Sequence, residues 1–152
     1  MSGGDEVVSF DVDAATAAIR DALDDGSDLH VVAAFTPDAY GIAYCDEFTR
    51  SFYADDEEMT GHFDRIHRYA GIDFSEIGLF VDELFPVAGG VEYVATGMEH
   101  LTIVRVYTES EGLLLTLDPG ADVTTAVEAV RGAIDPDLGA TGDALSSSGP
   151  DL

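Results

Sequence analysis

The sequence predicts an α+β domain, a five-stranded antiparallel sheet covered by helices in the order α-β-β-α-β-β-β-α. Three observations predict it. Runs rich in Val, Ile, Phe and Tyr are joined by tight turns, as in hairpins. Three other segments carry apolar residues at helical spacing. A long helical crossover separates a two-stranded group from a three-stranded one, so the strands run antiparallel with helices laid against them.

The first helix is expected from a cap at Asp13 to about Asp24, with Ala15, Ala18, Ile19, Ala22 and Leu23 on one face and Gly26 as its left-handed stop. So thin a stripe suits a helix lying close on a sheet. Leu29 to Thr36 and Tyr40 to Cys45 read as a hairpin around Pro37-Asp38. The run Val31 to Phe35 is apolar on both faces, which places it in the middle of the sheet. A second helix opens on Asp55 to Glu58, carboxylates that favour the positive end of its dipole. Its stripe is Met59, Phe63, Ile66 and Ala70, and Gly71 is expected to end it. Residues 72–86 read as a short irregular helix or packed loop. Three strands follow, Val91 to Thr96, Leu101 to Thr108 and Leu113 to Leu117, with turns at Gly97 and Glu111-Gly112. The last helix spans about Asp122 to Ala133 and buries Val123, Val127, Val130 and Ile134. The expected core includes Val32, Ala34, Ile103, Val104, Val127 and Val130. Residues 1–12 are expected to be an extension, 13–134 the single domain, and 135–152 a flexible acidic tail.

In this order of elements the chain resembles the Roadblock/LC7 family of the wider profilin-like group, over about Asp13 to Ile134. The resemblance is one of topology, with no motif that carries over residue by residue. It implies a non-enzymatic, homodimeric regulatory scaffold that extends its sheet across a two-fold axis and is often partnered with Ras-like GTPases. Residues 72–86 depart from the family pattern as a longer, more apolar insert. The stretch Phe52 to Leu117 is also similar to small uncharacterised proteins of halophilic archaea. The rival resemblance is to a PAS-like sensor, which shares the strand order but wraps several short helices around a ligand cavity on the order of several hundred Å³.

Composition points to the environment. The chain has six arginines and no lysine against 31 Asp and Glu, for a net charge of −25. At roughly 1 M salt the Debye length is about 3 Å, so the self-repulsion of such a chain is screened, and a halophilic cytoplasm is the expected setting. A mimic of nucleic-acid phosphates is the weaker reading, because the carboxylates are spread through every segment. Binding to nucleic acid is disfavoured, since it needs clustered Lys and Arg. A 46% hydrophobic fraction argues against disorder. One cysteine excludes an internal disulfide, and no apolar run approaches the ~20 residues of a membrane span.

No constellation reads as catalytic, and neither cofactor nor metal is expected. His62 and His67 lie about 140° apart on a helix, while His30 and His100 lack a ligand-type neighbour at metal spacing. Cys45 precedes Asp46 and Glu47, which oppose a thiolate; a pair with His30 across the hairpin is the one nucleophilic geometry open to it. Glu92 with Glu99, or Asp55 to Glu58, have nothing to mark them as general acid and base. Gly89-Gly90 precedes a strand, unlike a phosphate cradle. One cluster stands out: His62, Arg65 and Arg68, beside His67, concentrate basic residues on the second helix. The plain reading is dipole complementarity with an Asp64 to Arg68 pair. The sharper one is an interaction surface for an acidic partner or a second copy of the chain.

Overall fold

The computed structural model describes residues 7–23, 28–108 and 110–134, the side chains at 70–75 and 80 apart. Strand β1 (Leu29–Phe35) is buried along its whole length, as a run apolar on both faces requires. It pairs antiparallel with β2 (Tyr40–Cys45) on one side and β5 (Gly112–Leu117) on the other. Strands β4 (Thr102–Tyr107) and β3 (Tyr93–Gly97) complete the order β2-β1-β5-β4-β3, every neighbour antiparallel. The sheet is therefore the one expected, with β2 and β3 as its edges.

One face of the sheet meets two helices, α1 (Val12–Ala22) and α4 (Val123–Ile134), which also touch each other. Val32, Ala34, Val104, Val106, Leu113, Leu115 and Leu117 pack there against Val12, Ala15, Ile19, Ala126, Val127 and Val130. The cap of α1 is Asp11, not Asp13: its carboxylate accepts from the Ala14 amide at 3.0 Å. That shift brings Val12 into the buried stripe, while Ala22 is exposed. Val8 is buried too, so the core reaches back beyond Asp13. Gly26 and residues 135–152 lie outside the described residues.

The other face carries Val31, Ala33, Phe35, Tyr107 and Leu114 beneath α3 (Asp56–Leu79), which contributes Met59, Phe63, Ile66 and Ile77. Its start is a reciprocal cap, with Asp55 Oδ1 accepting from the Glu58 amide at 2.8 Å and Glu58 Oε1 from the Ala54 amide at 3.0 Å. The helix does not stop at Gly71 but continues to Leu79. A glycine inside a helix costs about 1 kcal/mol, and continuing past it brings Ile77 onto the cluster of Phe35, Tyr107 and Leu114. Residues 72–86 are thus the last two turns of α3, a π-helical turn Phe80–Leu84 and the start of a 3-10 turn Pro86–Ala88. Gly89, at φ 83°, then turns the chain into β3.

Of the expected core, Ile103 is only half-buried, whereas Val32, Ala34, Val104, Val127 and Val130 are buried. Ile103 faces α3 where the helix stands off the sheet, beside a groove of about 240 Å³. A further helix, α2 (Glu47–Arg50), unforeseen in the sequence, follows β2 and is capped by Asp46, whose Oδ1 accepts from the Thr49 amide at 2.9 Å.

Candidate interaction surface

The basic segment of α3 lies mid-helix, since α3 runs on to Leu79. Dipole complementarity therefore does not account for it. Arg65 and Arg68, three positions apart, are both exposed. The expected Asp64 to Arg68 pair is not made; Asp64 instead accepts from the Tyr40 hydroxyl at 2.7 Å. Burial, with that bond and the Asp64 charge, pushes the Tyr40 phenol up to about 12. His62 is half-buried, its Nδ1 hydrogen-bonded to the Tyr53 hydroxyl at 2.6 Å. Burial raises the Tyr53 phenol, the charges of Cys45 and Glu58 add to this, and Arg65 opposes it. His67 turns elsewhere, donating from Nε2 to the Thr36 carbonyl at 2.8 Å and stacking on Tyr40. His62 and His67 thus serve separate contacts, as their spacing predicts.

Large apolar side chains are exposed beyond this segment: Tyr69, 72% exposed, on α3, then Leu79, Leu84, Phe85 and Val87, the last 99% exposed. Tyr93 on β3 and Met98 after it are exposed as well. Tyr69 and Thr96 line one groove together, which sets the middle of α3 beside β3. This edge of the sheet therefore exposes Tyr93 with Tyr69 nearby, and among the described residues no strand lies on its outer side. At the opposite edge, Phe48 and Phe52 pack edge to face, their centroids 5.0 Å apart, and are both exposed.

Elsewhere the structure separates the remaining candidates. Glu92 approaches Arg131 at 3.6 Å and Glu99 approaches His100 at 3.6 Å, so the two glutamates form no acid–base pair. Cys45 has its thiol raised, first by burial and then by Asp46, against the opposing charge of Arg50. It gains no base from His30, whose ring turns to Asp46 and Asp118. This Asp46–His30–Asp118 cluster is the constellation that sequence spacing missed. Each carboxylate takes a different ring nitrogen, so the three groups diverge from any single cation. No group of three His, Cys, Asp or Glu among the described residues could hold a metal ion. No described helix is long and apolar enough to cross a membrane.

No family model and no curated protein matches the sequence. Among solved structures, the crystal structure of a Roadblock/LC7 domain from Streptomyces avermitilis matches with a TM-score of 0.56 at 11% identity, covering 86% of this chain and 98% of that one. The chain has a Roadblock/LC7 fold. The similarity to haloarchaeal proteins finds no support in these comparisons. The PAS-like alternative is not favoured either. In this Roadblock/LC7 fold the crossover contains one long helix. The gap beneath its first half, lined by Val31, Phe35, Phe63 and Leu114 among others, is about 50 Å³, and the larger spaces of about 240 and 370 Å³ farther along the helix are grooves open to solvent.

Proposed function

We propose that the chain is a non-enzymatic protein-interaction module that works as a homodimer in a salt-rich cytoplasm, joined through α3 and the β3 edge. The apolar flank of Tyr69, Leu79, Leu84, Phe85, Val87 and Tyr93 beside an unpaired edge strand carries this reading. An exposed edge with a row of unpaired backbone groups is a template for pairing, and an apolar patch of this kind marks a contact surface. A second copy is the occupant that fits, because an isologous contact would cover the same flank on both subunits. Arg65 and Arg68 supply positive charge with which the carboxylates of the other subunit can pair at an otherwise repulsive contact. Arg65 and Arg68 are therefore assigned to its rim, while His62 is held toward β2 by its bond to Tyr53. Such a dimer leaves the β2 edge, with Phe48 and Phe52, for a signalling partner; a small Ras-like GTPase, implied by the topology, is the first to try.

Sedimentation at about 1 M salt tests the dimer. The expected result is a dimer at tens of micromolar, weakened about tenfold or more, equivalent to 1.4 kcal/mol, when Arg65 and Arg68 are both replaced by Glu, with the circular dichroism of the monomer unchanged. A wild-type monomer under these conditions, or a double variant that dimerises as well as wild type, would end the proposal.

A further inference from the structure

His30 lies at the start of β1, 6% exposed, between the ends of the two strands that flank it. Its Nδ1 is 2.6 Å from Asp46 Oδ2 and its Nε2 is 2.6 Å from Asp118 Oδ1. A neutral imidazole has one N–H and one lone pair, whereas an imidazolium donates from both nitrogens. With a carboxylate at each nitrogen, a neutral ring would set a lone pair against an anion. Only the charged ring satisfies both contacts.

The two carboxylates are not equivalent. Asp46 has 19% of its side chain exposed, and its second oxygen caps α2 through the Thr49 amide. Its own amide donates to the His30 carbonyl at 2.9 Å. Asp118 has 48% of its side chain exposed and opens the turn from β5 to α4, where its carbonyl accepts from the Ala121 amide at 3.1 Å. Swinging Asp118 into water costs little, while moving Asp46 uncaps a helix. We propose that His30 is a pH-sensitive clasp, charged when closed, which on losing its proton keeps Asp46 and lets go of Asp118, loosening the turn between β5 and α4.

The surroundings support a charged ring. Asp46 and Asp118 face it from just beyond the ends of β2 and β5, and the Phe48 ring of α2 packs on it at 5.5 Å. Burial alone would disfavour the charge, yet the hydrogen bonds and charges of Asp46 and Asp118 outweigh it and raise the His30 pKa above 6.5. A raised folded value means that the clasp's contribution to stability is complete below the ordinary pKa and is lost as pH rises through the folded one.

Nitrogen-15 spectroscopy of the His30 ring, with hydrogen exchange of single amides, tests the clasp. Both ring nitrogens should carry protons at neutral pH. Above the His30 midpoint the Ala121 amide should exchange faster while the Thr49 amide stays protected. Asp118→Asn, which keeps an acceptor and removes the charge, should weaken His30 proton binding about tenfold and bring the loosening to lower pH. A neutral ring at pH 7, an unmoved midpoint in D118N, loss of Thr49 protection together with Ala121, or unfolding of the whole domain at the midpoint would each overturn the proposal.

Discussion

Gly112 pairs with Phe35 across β1 and β5, and a Cβ there would come within 2.6 Å of the Phe35 Cζ. Phe35 is buried and packs edge-on to Tyr107, so its ring must give up that contact to move toward the gap it lines. Gly112→Ala should therefore cost about 1–3 kcal/mol, read as a lowered denaturation midpoint at unchanged slope. Asp46 makes a second residue-scale case. Burial opposes its charge, but bonds from His30 and Thr49 prevail and hold its carboxyl below 3.8. With the folded value depressed, its contribution is present above 3.8 and is lost as pH falls through the folded one. Asp46→Asn should be less stable than wild type at neutral pH, and the gap should narrow in acid titrations monitored by circular dichroism; a gap that widens toward low pH contradicts this. None of the cluster was legible in the sequence. Asp46 and Asp118 stand 16 and 88 positions from His30, and only the strand order, with β1 between β2 and β5, brings them together.

At the scale of elements, the strands were legible because each is a short β-branched or aromatic run bounded by turn residues. Their ends shifted by only one or two positions, as where β3 starts at Tyr93 and not Val91. Helices were legible by their stripes and less so by their ends. Asp11 and Asp13 are both chemically fit to cap α1, and burial of Val12 decides between them. Gly71 reads as a stop because glycine favours the left-handed cap, yet Ile77 beyond it packs on the sheet. α2 escaped notice since four residues are too few to show a period. Helix α3 also carries Gly61, with nothing within 4 Å of where a Cβ would stand. Gly61→Ala should stabilise the domain by about 0.5–1 kcal/mol through the lower backbone entropy of the unfolded chain. A loss of thermal stability would mean that the site is tighter than the monomer shows, as it would be under a second subunit.

For the molecule as a whole, the topology was legible and the proposed contact surface was legible only in part. The basic residues of α3 could be picked out against an acidic background, but exposure of Tyr69, Leu84 and Val87 could not, because an apolar residue in sequence looks the same whether it is buried or bare. The charge itself leads to the last prediction. With a net charge of −25, repulsion acts throughout the folded chain, and among the described residues ion pairs outside the His30 cluster relieve little of it: Arg131 and Glu92 approach only to 3.6 Å at the surface, a contact worth about 0–1 kcal/mol. Relief must come from solvent ions. The Debye length falls from about 10 Å at 0.1 M salt to about 3 Å at 1 M, so the urea midpoint should rise steeply over that interval and level off beyond it, equally in NaCl and KCl. A gain that came from exclusion of salt at apolar surface would instead keep climbing with concentration, since that effect strengthens burial without limit from screening. Urea titrations across the interval separate the two, and a midpoint indifferent to salt would refute the assignment of this acidity to a salt-rich cytoplasm.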